Sequence, residues 1–132
     1  MALKDGRDDE YVVCALLHDI GDLLGSYNHA DLAAVILEPF VSEAHHWMVK
    51  HHGIVQGDHF FHHIGLDRHL RDRLKDHAHY ELTADFVERF DNRAFDPDHP
   101  VAPIEIFVPL VHRVLAQPRQ SLYLDALAPS DR

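Results

Sequence analysis

Helix caps and helix breakers recur along this chain, and between them no stretch alternates apolar with polar residues. Without that alternation a chain cannot give a sheet one buried face, so the elements open to it are helices. Asp8 or Asp9 is placed to cap a helix over 9–19, with Val12, Ala15 and Leu16 on one stripe. Asn28 is placed to cap a second over 29–38, which Pro39 ends, and Ser42 a third over 43–52, closed by Gly53. Residues 53–65 carry no clean period and predict a long loop; further helices are expected at 66–76, 80–93 and 103–116. The expectation is an all-α bundle of five to six helices in one domain over 1–132, its core at 9–116 and loosely ordered ends at 1–8 and 117–132.

Composition narrows the function. A length of 132 residues suits one core. The net charge of -10 argues against nucleic acid, whose phosphates call for clustered Lys and Arg. The longest apolar runs, "YVVCALL" and "LAAVIL", fall short of the roughly 20 residues of a membrane span, and no secretory leader is apparent. One cysteine, Cys14, excludes an internal disulfide and fits a reducing cytoplasm. Histidine is the outlier: there are 14, several times ordinary usage, and imidazole is the commonest metal ligand.

The informative histidines and aspartates are those on apolar faces. Asp19 follows Val12 and Ala15 by seven and four positions and so continues the first helix's buried stripe, with His18 beside it. His29 heads the stripe of Leu32, Ala33 and Ile36; His52 and His45 fall beside Met48; Asp91 extends the line of Ala84 and Val87. An unpaired charge on a core face costs several kcal/mol, so these groups need partners or a metal. Two divalent ions a few ångströms apart need anionic ligands to offset their repulsion. Asp19 can bridge them, with His18 and Asp91 on one ion and His29 and His52 on the other; this donor set suits iron, manganese or zinc.

The order His18-Asp19, His29, His52, Asp91 resembles the signature of the HD-domain superfamily, an all-α metal-dependent fold. "LLHDIGD" resembles its HD motif and "RFDNRAFDP" its terminal aspartate, while "HADLAAVIL" and "MVKHHG" are similar to ligand segments of its diiron oxygenase branch, which includes myo-inositol oxygenase and the organophosphonate oxygenases. The resemblance covers about residues 9–116. It implies two metal ions, iron favoured, and oxygenation of a small polar substrate such as an organophosphonate or polyol, with Asp19 at the centre and Lys50 as an anion contact. Hydrolysis of a phosphoester is the alternative the superfamily implies, and non-catalytic metal binding a third. The family's first ligand is a histidine on a helix some two dozen residues before the HD pair; here 17 residues precede His18 and none is a histidine. Water or a neighbouring histidine such as His45 is the candidate substitute, and a single metal ion or an inactive protein the other expectation. The missing helix predicts an apolar groove near Val12 and Leu16 that would favour self-association.

Overall fold

The computed structural model describes residues 1–126, which form helices and turns and, among the described residues, no strand. Helix α1 spans Asp9–Leu17, and Asp8 caps it by accepting the Tyr11 N–H at 2.8 Å. Helix α2 spans His29–Leu37, with Ala33, Ala34 and Leu37 buried; Ile36, expected on the core stripe, is half exposed. Helix α3 spans Glu43–Phe60, capped by the Ser42 hydroxyl, which accepts the His45 N–H at 3.3 Å. It is the spine of the fold: α2 and α4, the latter spanning Tyr80–Phe86, both pack along it. Helix α5 spans Val108–Val114 and packs on α1, and a last short turn, α6, spans Leu122–Asp125.

The sequence expectation for the third helix is corrected: it runs straight through Gly53. A Cβ at Gly53 would meet no atom, so no turn or close approach requires glycine there. Keeping Gly53 helical costs about 1 kcal/mol. Burying Val55 completely, on the face of Met48, Val49 and His52 and one turn beyond His52, contributes roughly 1.5–3 kcal/mol and outweighs it. The expected loop is therefore the second half of α3 followed by a 3-10 turn at Phe61–Ile64. Gly65 is the true stop, with φ at 77°, a left-handed conformation that glycine adopts without strain.

Three further expectations change. Residues 66–76 form turns rather than an α-helix, with a 3-10 segment at Leu70–Leu74 held by Arg71, which donates to the Tyr80 hydroxyl at 2.8 Å and to the Val55 carbonyl at 3.2 Å. The helix expected over 80–93 breaks register after α4, passing into a π turn at Val87–Asp91 and a 3-10 turn at Asn92–Phe95. The last predicted helix is likewise shorter, a 3-10 turn at Ile104–Ile106 preceding α5.

Residues on both flanks of the expected core dock on the bundle, while 127–132 of the expected loose end lie outside the described residues. Ala2 is buried, and Arg7 joins Asp5 at 3.0 Å to Asp85 at 2.6 Å while its guanidinium lies over the Tyr11 ring. Asp5 also receives Arg89 at 2.6 Å. At the other end the Arg119 N–H donates to the Pro39 carbonyl at 2.6 Å, and its guanidinium pairs with Glu10. Met1–Leu3 lie along the flank where the groove is expected and Val12 is 3% exposed, yet a partly open, mostly apolar pocket of about 190 Å³ remains there, lined by Val12 and Leu16.

Candidate metal centre

Four pieces of backbone meet at one end of the bundle. His18 is the C-terminal cap of α1, and Asp19 comes next, off the helix axis, at φ −102° and ψ 9°. Asp19 thus does not continue the buried stripe, as its spacing predicts; its side chain is 57% exposed and bends back across the helix end. Gly21 then lets the first residue of α2, His29, come close, because a Cβ there would strike the His29 carbonyl and lie 2.7 Å from the Leu32 Cβ. His52 sits mid-α3, 1% exposed, and Asp91 ends the π turn, 4% exposed. A π turn adds a residue within the helical rise and so re-aims the side chains at its C-terminal end, which is how Asp91 reaches the others.

The donor atoms of these five residues converge. Asp19 Oδ1 lies 3.2 Å from His52 Nε2 and 3.4 Å from His29 Nε2, and the two imidazole nitrogens are 3.3 Å apart. The other oxygen, Asp19 Oδ2, lies 3.2 Å from His18 Nε2, which is 3.2 Å from Asp91 Oδ1. His18, Asp19 and His52 also offer donor atoms that all lie within 4.8 Å of one another. A polyhedron with metal–ligand bonds of about 2.1 Å has ligand–ligand edges of about 3.0 Å when octahedral and 3.4 Å when tetrahedral. The His29–His52–Asp19 triangle has the edges of one coordination face. The single carboxylate of Asp19 serves this group with one oxygen and the His18–Asp91 group with the other.

Proton positions sharpen the point. His18 Nδ1 donates to the Ala15 carbonyl at 2.7 Å, His29 Nδ1 to the Ser26 carbonyl at 3.0 Å and His52 Nδ1 to the Val49 carbonyl at 2.6 Å. A carbonyl only accepts, so each Nδ1 carries a hydrogen, and each Nε2 is turned toward the carboxylates as the position for a further proton or a metal ion. This is the tautomer and orientation that a backbone carbonyl imposes on metal-binding histidines. Lone pairs of His29 and His52 facing each other and a carboxylate repel unless a proton or metal ion stands between them. The same holds at Asp91, whose Oδ2 is buried with no hydrogen-bond partner.

Electrostatics agree on the sign of what is wanted. Burial works against the His18 cation, yet the hydrogen bonds it donates to the Asp19 and Asp91 carboxylates outweigh it and raise His18 to about 10. The hydrogen bonds from His18, and then from His52, hold the Asp19 carboxyl far below the usual carboxylate range. The pocket demands a positive charge at the centre of these groups, supplied by a proton on His18 or by a metal ion.

Other candidates fall elsewhere. His45, one face with His52 but seven residues earlier and so about 10 Å away along the axis, is held by Glu10 at 2.6 Å and does not reach this group of donors. Lys50 is exposed, on the rim of an open pocket of about 530 Å³ that also takes in His29, His51 and Gln56. His29 and Lys50, which stand out in the sequence, help form that pocket; its Phe60 and Phe61 walls depend on the unforeseen length of α3. Against the opposite side of the centre, His18 and Asp91 form part of the wall of a second cavity. No helix among the described residues is long and apolar enough to cross a membrane. Comparison of the chain with protein-family models, with curated proteins and with solved structures finds no match.

Proposed function

We propose that this protein is a dinuclear metalloenzyme of the HD type, with Asp19 as the bridging carboxylate, His29 and His52 on one ion and His18 and Asp91 on the other. The observation that carries this reading is the split of the Asp19 carboxylate, one oxygen 3.2 Å from His52 and the other 3.2 Å from His18. Three neutral imidazoles and two carboxylates would offset part of the charge of two divalent ions and leave each ion positions for water or substrate. Two histidines and one carboxylate on one face is the donor set of non-haem iron oxygenases, so iron is the favoured metal and oxygenation the favoured reaction. When bound, iron would supply O2 activation and a Lewis-acid seat for the substrate's polar end.

The chain's own part is orientation. The three carbonyl–imidazole hydrogen bonds fix the rings before any ion arrives, and the closely packed faces of α1 and α3 keep them there. Lys50, on the open rim beside His29, is placed to attract an anionic group such as a phosphonate. Iron-loaded protein is expected to consume O2 in the presence of a hydroxylated small molecule. Manganese-loaded protein that hydrolyses p-nitrophenyl phosphate without O2 would replace oxygenation by phosphoester hydrolysis and leave the ligand assignment standing.

A further inference from the structure

Two glycines stand one turn apart in α3, and packing explains only one of them. Gly57 is needed because a Cβ there would collide with the ring of Phe61. Gly53 has no such neighbour: a Cβ there would meet nothing within 4 Å, and its φ is not in the left-handed region. A good helix former at 53 would stabilise α3, so glycine is kept against the interest of the fold. The space its side chain would take belongs to the open pocket of about 530 Å³ beside His29.

Two more features of that pocket call for an occupant. Ile54, Ile64 and Leu66 line it and stay 40%, 61% and 51% exposed, an apolar wall that the described chain leaves uncovered. Lys50, three residues before Gly53 and so on the same helix face, makes no ion pair among the described residues. Phe61 shows what this face accommodates. Its ring lies against the bare backbone of Gly57, and Gly53 offers the same bare backbone one turn earlier, toward Lys50.

We infer that Gly53 is a specificity-determining residue: its bare backbone admits the flat apolar body of an aryl-substituted organic anion, seated beside Phe61 with its charged end at Lys50. The charge is negative because the cation shares the face of Gly53, whereas the acid of the lining, Asp31, comes from α2 and acts on His51. A polyol would leave the apolar wall wet and gain nothing from it. Helix stability is given up for access, an exchange expected at a binding surface. The inference rests on the two-ion reading in one respect, that the occupant is taken as the substrate; its binding does not need metal.

The test uses the full chain, stripped of metal, with phenylphosphonate as the probe and methylphosphonate as the anion without an apolar body. Phenylphosphonate is expected to shift the amide resonances of Gly53, Ile54, Phe61 and Ile64 saturably, and methylphosphonate to bind at least about tenfold more weakly. Gly53→Ala is expected to raise Tm by about 2–5 °C while weakening phenylphosphonate, and Gly53→Leu to abolish its shifts, with metal uptake kept in both. Lys50→Ala should weaken the probe about fivefold. A glycine that served only the fold would give the opposite sign of Tm. A lower Tm in Gly53→Ala, no saturable shift up to about 20 mM phenylphosphonate, equal affinity for methylphosphonate, or unchanged binding in Gly53→Leu overturns the inference. So does a wild-type dimer in sedimentation that Gly53→Leu dissociates, since a second copy would then be the occupant. The wild-type spectra and the methylphosphonate control decide the matter even if the leucine variant fails to fold. Metal analysis of the same protein after reconstitution separates this inference from the proposed function: probe binding without metal uptake would sink only the two-ion reading, and uptake without probe binding only the role of Gly53.

Discussion

The two sides of Asp19 are built differently. On the His29–His52 side the donor groups come from regular helix, His29 opening α2 and His52 in the middle of α3, and they adjoin an open pocket rimmed by Lys50. On the His18–Asp91 side they come from irregular backbone, a helix cap and a π turn, and they adjoin a smaller, more apolar pocket that is open as well. Regular helix sets ligand spacing cheaply but only at helical intervals. A π turn costs regularity and reaches a position no helical interval supplies, which suits a residue that must close a site from the far side. The difference teaches that one carboxylate can join donors set by helical spacing to donors that only irregular backbone can bring within reach.

Removing the shared carboxylate should erase the distinction altogether. Asp19→Ala is expected to lower affinity for both ions by more than about 100-fold, read by metal analysis after dialysis against iron(II). Because the Asp19 side chain is 57% exposed, the metal-free variant should fold much as the wild type does. His62→Gln, an exposed histidine away from the centre, should change neither quantity.

The two sides should then separate. His52→Ala removes a fully buried ring from the core and is expected to cost about 2–4 kcal/mol in denaturant melts while leaving the His18–Asp91 ion. Asp91→Asn keeps shape, loses the other ion and costs less. Metal counts falling to one per chain in each variant, with unequal stability losses, would support the division. Loss of both ions in either would mean a single shared site.

The pH dependence should change sign with metal. In chelator, the raised His18 cation is a stabilising group: its contribution is complete below the unfolded value near 6.5 and is lost as pH rises toward about 10, so Tm should fall over that window. With metal bound the proton is a competitor instead, and Tm should rise from about pH 5 to about pH 7.5. Melts with and without chelator across these ranges check both slopes. The smallest effect belongs to Lys50→Ala, which should alter stability by less than about 0.5 kcal/mol and raise KM for an anionic substrate without touching metal content.

The parts of this that are legible in the sequence have identifiable reasons. Asp8 and Ser42 announce helix starts by a local rule, and both caps are made. His18, Asp19, His29, His52 and Asp91 are readable as a set from residue type, order and a resemblance to HD domains, and the structure brings all five together. Gly53 misleads because a glycine signals a stop only when the backbone needs it, and here burial of Val55 one turn later decides the matter. The π turn leaves no trace in a hydrophobic pattern, since Ala84, Val87 and Asp91 keep the spacing of a regular helix. The cavity is illegible for another reason: it depends on where Met1–Leu3 fold back, a long-range event that no local period records.

Counting metal in iron-reconstituted protein tests the central claim most directly. The account predicts two irons per chain in the wild type and none in Asp19→Ala. A wild-type chain that binds no metal, or an Asp19→Ala chain that binds as much as the wild type, would contradict it.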